Sequence, residues 1–240
     1  MRFELLDHGY VEFIEAWGRG KAGQEGFPDY EVGIIEAARQ STQGSFRGWE
    51  QDSKLLTHLY DNNHDTPFEF AGMIIEVQAP IFVFREWHRH RTQSYNEMSA
   101  RYTPLPDLCY MPMSTIVQDR AISGWQSKNK QAGGMSENPP DEREISAWLR
   151  HQQTLYQAQE VHYQQGLRIG VPKEIARIGM PVGHYSRMRA SGNLRNWLGF
   201  LTLRMDPKAQ WEIQRYAHAV GHCIAETFPQ TWKLFTKSRG

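Results

Sequence analysis

Pro80-Ile81-Phe82-Val83-Phe84, followed after four intervening residues by Arg89-His90-Arg91-Thr92-Gln93-Ser94-Tyr95-Asn96-Glu97-Met98-Ser99-Ala100-Arg101-Tyr102, is where this chain changes character. The first stretch is apolar enough to belong to a core. The second carries three guanidinium groups, the hydroxyls of Ser94 and Ser99 and the carboxylate of Glu97. Guanidinium is planar, permanently charged and presents forked donors that match phosphate oxygens, so Arg89, Arg91 and Arg101 suit an anionic ligand such as a nucleotide. Ser94 and Ser99 add hydroxyl donors, and Glu97 can orient an arginine or accept from the ligand. A solvated charged face is the plainer alternative. The chain leaves the core just where the charges begin, which favours a site.

Working outward, Phe3 to Trp17 reads as one or two strands, Glu31 to Gln40 as a helix, and Trp49 to Tyr60 as a second helix with Leu55, Leu56 and Leu59 at helical spacing. Phe68 to Val77 returns to β-like composition, and Pro80 suits the first turn of a helix that carries the arginine cluster forward. Residues 111–140 are rich in Ser, Gly, Asn, Gln and Pro and read as a polar surface excursion. Beyond it, Ile145, Trp148, Leu149, Leu155 and Tyr156 keep helical intervals, with a stop at Gly170 and Pro172. Leu194, Trp197, Leu198 and Leu201 form an apolar helix face behind an Asn193 cap, and Asp206-Pro207 reads as the start of a further helix through Trp211 and Ile224. No internal repeat is visible. The pattern predicts a single α+β domain over residues 1–240, its N-terminal part mixed strand and helix and its C-terminal part mainly helical.

Composition narrows the function. The 240 residues hold 27 basic and 27 acidic side chains, so no global field favours a nucleic acid polymer or an anionic membrane, and the arginine cluster is local. No apolar run approaches a membrane span and Met1-Arg2-Phe3-Glu4 lacks a signal-peptide pattern, so a cytoplasmic location is expected. Gly18-Arg19-Gly20-Lys21-Ala22-Gly23 fits the dinucleotide fingerprint by letter, but more glycines and Pro28 follow where a helix should open. His58, His64, His88 and His90 have no metal-ligand spacing, and no metal is expected. Cys109 and Cys223 are too few for a disulfide framework; Cys109 has no adjacent base, Cys223 lies in an amphipathic helix where His222 would point elsewhere, and both read as packing residues.

The order Arg-His-Arg, then Ser94, then Ser99-Ala100-Arg101-Tyr102, resembles the signature of the flavin-dependent thymidylate synthases. Ala37-Ala38-Arg39-Gln40-Ser41, His64-Asp65-Thr66-Pro67-Phe68-Glu69, Ile175-Ala176-Arg177-Ile178, Gly192-Asn193-Leu194-Arg195, Leu203-Arg204 and Ala209-Gln210-Trp211-Glu212 resemble the same family, in the same order. The resemblance implies reductive methylation of dUMP to dTMP, with methylenetetrahydrofolate as carbon donor, FAD as hydride carrier and NADPH as reductant. It also implies a homo-oligomer, a tetramer in similar proteins, whose sites combine residues from more than one chain.

By the same resemblance Arg204 is the catalytic arginine held against the pyrimidine, where it would draw electron density toward carbon 5. The alternative is a helix cap. Glu86, Trp87, His88, Arg89, Glu97, Met98, Ser99, Ala100, Arg101, Arg177 and Arg204 match the positions that hold dUMP, Arg101 and Arg177 being the phosphate candidates. Arg177 has a competing reading as a surface pair with Glu174 on one helix. Ser41, His64, Thr66, Arg89, His90, Arg91, Glu97, Asn193, Arg195 and Gly199 match FAD-contacting positions. Lys208 and Gly199 depart from the family pattern, where histidine and a polar side chain are frequent. These departures keep two alternatives open: a flavin enzyme acting on another pyrimidine nucleotide, and a catalytically silent nucleotide-binding relative.

Overall fold

A computed structural model describes residues 1–19, 29–112 and 141–239. The glycines from Gly20 to Gly26 and nearly all of the polar excursion at 111–140 therefore lie outside the described residues. Five strands form one antiparallel sheet in the order β1-β2-β3-β5-β4: β1 Arg2–Leu5, β2 Gly9–Trp17, β3 Gly72–Pro80, β4 Ser94–Glu97 and β5 Tyr185–Asn193. The helices are α1 Val32–Arg39, α2 Trp49–Asp61, α3 Ile81–Trp87, α4 Glu142–Arg168, α5 Lys173–Ala176, α6 Leu194–Arg204, α7 Trp211–Thr227 and α8 Pro229–Lys237. The α+β class agrees with the sequence, as do α1 and α2, the Asn193 cap and the stop at Gly170, which adopts φ 87°.

Strand β3 is the centre of the fold. Its alternate residues Met73, Ile75, Val77 and Ala79 are fully buried, together with Met188 and Ala190 of β5. Against this face pack Trp87, Trp197, Phe200 and Leu201, then Ile213, Ala217, Val220 and Ile224 of α7. On the other face Glu76 pairs in register with Arg189, whose Nε lies 3.5 Å from the Glu76 carboxylate. Gly72 is required where β3 leaves its turn: a Cβ there would lie 2.2 Å from the Trp17 ring and 2.4 Å from the Gly192 carbonyl.

Three expectations need correction. Pro80 does cap α3, but the helix ends at Trp87, so the arginine cluster runs through a turn into β4 instead of along a helix. The β-like segment from Phe68 begins with a 3₁₀ turn, Thr66–Phe70, and only from Gly72 is it strand. Asp206-Pro207 does not start a helix: the Asp206 carboxylate closes a tight turn by accepting from Lys208 N at 2.7 Å, and α7 begins at Trp211. The C-terminal part is mainly helical, as expected, with the one strand β5 lying there and joining β3 to β4.

Candidate active site

Arg204 is the best-anchored side chain of the predicted set. It closes α6 and projects back across the turn after α3, where its Nε donates to His90 Nε2 at 2.9 Å, Nη1 to Glu86 Oε2 at 2.6 Å and Nη2 to the Glu86 carbonyl at 2.8 Å. The alternative of a helix cap fails, since none of its three bonds goes to a carbonyl of α6. His90 must be neutral, with its proton on Nδ1, to accept from Arg204. Burial and the adjacent guanidinium together pull its pKa down to about 4. Its ring also meets Phe200 edge-on, with centroids 4.9 Å apart.

The turn that carries Arg89, His90 and Arg91 is fixed from below. Tyr95 donates its hydroxyl to the His90 carbonyl at 2.7 Å, and Gln93 Oε1 accepts from the Trp87 indole at 3.1 Å. Trp87 is fully buried, so its side chain belongs to the core instead of a ligand surface. His88 lies between the rings of Phe84 and Tyr95. Arg89 and Arg91 are exposed and make no ion pair among the described residues.

Further along, Ser186 of β5 donates to Glu97 Oε1 at 2.6 Å, and Met98 N is bonded to the Arg187 carbonyl. Ser99 accepts from Arg101 N through its hydroxyl, at 3.3 Å, while Ala100 is buried. Arg101 pairs with Glu174 at 3.0 Å, in the exposed region next to Arg177. Glu174 thus serves Arg101, and the local Glu174–Arg177 pair is not formed; Arg177 lies in a 3₁₀ turn, Arg177–Gly179.

The other end of α6 holds a second group. Asn193 caps the helix by accepting from Asn196 N at 2.9 Å, Asn196 donates to the Thr92 carbonyl at 3.0 Å, and Arg195 pairs with Glu69 at 2.6 Å and Asp65 at 3.2 Å, on either side of Thr66. Gly199 is exposed, and a Cβ there would meet nothing within 4 Å. His64 meets His58 edge-on at 5.6 Å, and Ser41 lies in the 3₁₀ turn Gln40–Thr42; no hydrogen bond among the described residues joins either to the cluster. The sequence reading missed Ser186, Asn196 and the acids Asp65 and Glu69. The spacing Asn193-x-x-Asn196 was the one visible signal, since a cap side chain accepts two or three residues on.

The thiols are poorly set for attack. Burial and nearby acids push Cys109 up to about 12, burial pushes Cys223 to about 11, and His222 stacks on Phe3.

The family model described as thymidylate synthase complementing protein (Thy1) matches residues 25–230. The chain belongs to the flavin-dependent thymidylate synthase family. It is 34% identical over 238 residues to the flavin-dependent thymidylate synthase of Thermotoga neapolitana, covering 99% of this chain and 95% of that protein. An enzyme of the same name from Thermus thermophilus is 35% identical over 232 residues, which are 96% of this chain and 77% of that protein. Among solved structures, the UMP/dUMP methylase PolB from Streptomyces cacaoi bound with 5-Br UMP superimposes with a TM-score of 0.79 at 29% identity, covering 98% of this chain and 96% of that one. Membership makes the chain a methyltransferase enzyme of a flavin-dependent family and agrees with the α+β fold. No helix among the described residues is long and apolar enough to cross a membrane.

Proposed function

We propose that this chain catalyses the reductive methylation of dUMP to dTMP, with FAD bound as cofactor and methylenetetrahydrofolate and NADPH as co-substrates. The observation that carries the reading is the fixed guanidinium of Arg204, held on one side by Glu86 and on another by a neutral His90. An electrophilic group held this way costs little reorganisation when negative charge develops on a pyrimidine ring, and with both thiols raised, carbon 5 must be activated by such electrostatics.

FAD fits the residues present. Arg89 and Arg91 offer guanidiniums without partners among the described residues, as a pyrophosphate requires, and a Cβ at Gly199 on α6 would meet nothing within 4 Å. Arg89, His90, Arg91, Asn193, Arg195 and Thr66 would hold it, with Ser41, His64 and Glu97 as further contacts. Bound there, it supplies the hydride that NADPH provides. Arg101 and Arg177 take the nucleotide phosphate, Ser99 and Glu97 its sugar side, and Arg204 the base.

A homotetramer in the cytoplasm, with sites composed from more than one chain, is part of the same proposal. It accounts for Ser41 and His64 making no hydrogen bond to the cluster among the described residues of one chain. UMP is the second substrate to test, because the PolB neighbour carries the name UMP/dUMP methylase. Incubating the protein with methylenetetrahydrofolate, NADPH, FAD and either dUMP or UMP, then weighing the pyrimidine product, decides the matter. A 5-methyl product from dUMP is expected. A hydroxymethyl product, a product from UMP alone, or none from a folded, FAD-loaded protein would overturn the assignment.

A further inference from the structure

Residues 40–48, between α1 and α2, are mostly exposed and carry Ser41, yet they are fastened from inside by an ion pair that water hardly reaches. Asp52 is fully buried and the Arg39 side chain is 13% exposed. Both Asp52 oxygens accept from the Arg39 guanidinium, Oδ1 from Nη2 and Oδ2 from Nη1 at 3.2 Å. The pair does not close on itself. Asp52 Oδ2 also accepts from Arg47 N at 2.7 Å, and Arg39 Nη1 donates to the Ser45 carbonyl. The Arg39 carbonyl accepts from the Thr42 hydroxyl at 3.1 Å and from Gly44 N at 3.3 Å. Thr42, Gly44, Ser45 and Arg47 are thereby tied to Arg39 and Asp52, around a Gln43 held at φ 52°, a left-handed conformation uncommon outside glycine. An acid in the first turn of α2 is favoured by the helix dipole alone, but the dipole does not call for a buried arginine from α1. Nor does stability call for it, since apolar residues of similar volume often serve as well as a buried ion pair. What apolar residues could not do is hold the polar main chain of an exposed loop in one shape.

We propose that Arg39 and Asp52 are positioning residues for the cofactor: together they set the 40–48 loop so that the Ser41 hydroxyl meets FAD. The proposal rests on the Ser41 contact in the reading above. Among the described residues no hydrogen bond joins Ser41 to the arginine cluster, so its place is fixed by its own loop and by what anchors that loop. Asp52, being fully buried, acts through the loop and not by touching the ligand. A side chain on an exposed loop must be held close to its productive geometry for its hydrogen bond to count, and the supporting pair removes the ordering cost that a free loop would meet on binding.

The test follows FAD release from the FAD-loaded, full-length protein on dilution, by recovery of flavin fluorescence, alongside urea unfolding. The proteins are wild type, Ser41→Ala, Arg39→Lys, Asp52→Asn and the double variant Ser41→Ala/Asp52→Asn. Ser41→Ala should raise the FAD dissociation constant about five- to tenfold, the worth of one hydrogen bond. Asp52→Asn keeps the shape but sets an amide donor against Arg39 or Arg47 N, and should raise the constant about as much. In the double variant the constant should stay within about twofold of Ser41→Ala, because residues that act through one contact do not add. Arg39→Lys keeps a charge beside Asp52 but lacks the fork that also reaches the Ser45 carbonyl, so it should weaken FAD with a smaller fall in urea midpoint. It carries the comparison if Asp52→Asn does not fold. A merely structural pair would lower the urea midpoint and leave the FAD constant of the folded variants as in wild type, which would overturn the proposal. So would effects of Ser41→Ala and Asp52→Asn that multiply. Wild type that holds no FAD, or Ser41→Ala that holds it as tightly as wild type, would refute the contact beneath. Weakened binding in Ser41→Ala beside wild-type affinity in Arg39→Lys and Asp52→Asn refutes only the positioning role.

Discussion

Replacing Arg204 by alanine separates what this side chain does for the fold from what it does for the reaction. On the folding side, three hydrogen bonds are lost, but Glu86 is 42% exposed and is rehydrated on losing its partner. A pair this open is worth about 1 kcal/mol, and the half-enclosed His90 Nε2 left without a donor adds about as much, so the loss should be about 1–2 kcal/mol. On the reaction side, removing a preorganised donor from developing negative charge typically costs 10²–10³ in turnover, about 3–4 kcal/mol at the transition state. The catalytic loss should therefore exceed the stability loss by roughly 2 kcal/mol, while FAD binding persists because Arg89, Arg91 and Arg195 are untouched. Arg204→Lys should not rescue, since a point ammonium cannot meet the His90 ring, a carboxylate and a carbonyl in one plane. The His90 pKa should also rise from about 4 when the neighbouring cation goes, yet stay below 6.5, because burial is the larger cause of its depression. Product formation by mass spectrometry, flavin titration, urea unfolding and NMR titration of His90 make the measurement complete. Turnover of Arg204→Ala within about threefold of wild type would refute the reasoning, as would a loss fully explained by missing FAD.

Acid should weaken the fold through His90. Its folded-state pKa of about 4 lies below 6.5, so the unfolded chain binds a proton that the folded one refuses; stability from this source is intact above pH 6.5 and is lost as pH falls toward 4. The ceiling is about 3 kcal/mol, and solvent reaching the half-buried ring should roughly halve it; urea unfolding of wild type and His90→Gln at pH 7, 5.5 and 4 should show the two curves converging toward low pH. The buried His184, also depressed, contributes in the same direction. Asp52→Ala should destabilise by about 3 kcal/mol, because Asp52 is fully buried, pairs with Arg39 and accepts from Arg47 N; an unchanged urea midpoint would contradict that. Cys109→Ser with Cys223→Ser should keep measurable methylation despite a stability loss of about 1–2 kcal/mol at the fully buried Cys223; abolished turnover in a folded double variant would revive a thiolate mechanism.

The helices were legible because burial leaves a periodic trace: Leu194, Trp197 and Leu201 are buried where the spacing placed them. Strand β5 was not, for a physical reason. Its inward residues are Ser186, Met188, Ala190 and Gly192, its outward ones include Arg187 and Arg189, and it has no β-branched residue to mark it. It is a strand because β3 and β4 pair with it on both sides, which no local window contains. The early end of α3 was hidden similarly. Nothing in the letters after Trp87 forbids a helix, but Tyr95 anchors the following carbonyls to a turn. For the site, residue types spoke plainly and contacts did not. Arg101 pairing with Glu174 lay across 73 positions, where the sequence offered only the nearer Glu174–Arg177 spacing.

One helix face explains how the distant pieces meet. Asn196, Phe200 and Arg204 follow at i, i+4 and i+8 and so share a stripe of α6. Each touches the segment leading out of α3: Asn196 reaches the Thr92 carbonyl, Phe200 the His90 ring, and Arg204 both His90 and Glu86. At about 1.5 Å per residue the three contacts span about 12 Å, enough to hold the whole arginine turn at a fixed height over the core. The adjoining rows, Leu194, Trp197 and Leu201, are sunk in that core together with Phe200, so the stripe cannot rotate without dragging buried rings. Gly199 lies about 100° around α6 from Phe200, on the exposed side, where a Cβ would meet nothing within 4 Å. The chain thereby obtains a rigid cation at one end of the helix, fixed against the turn that carries Arg89 and Arg91. That arrangement follows from a single helix register, and one inserted residue between Asn196 and Arg204 would turn Arg204 by about 100° away from Glu86 and His90.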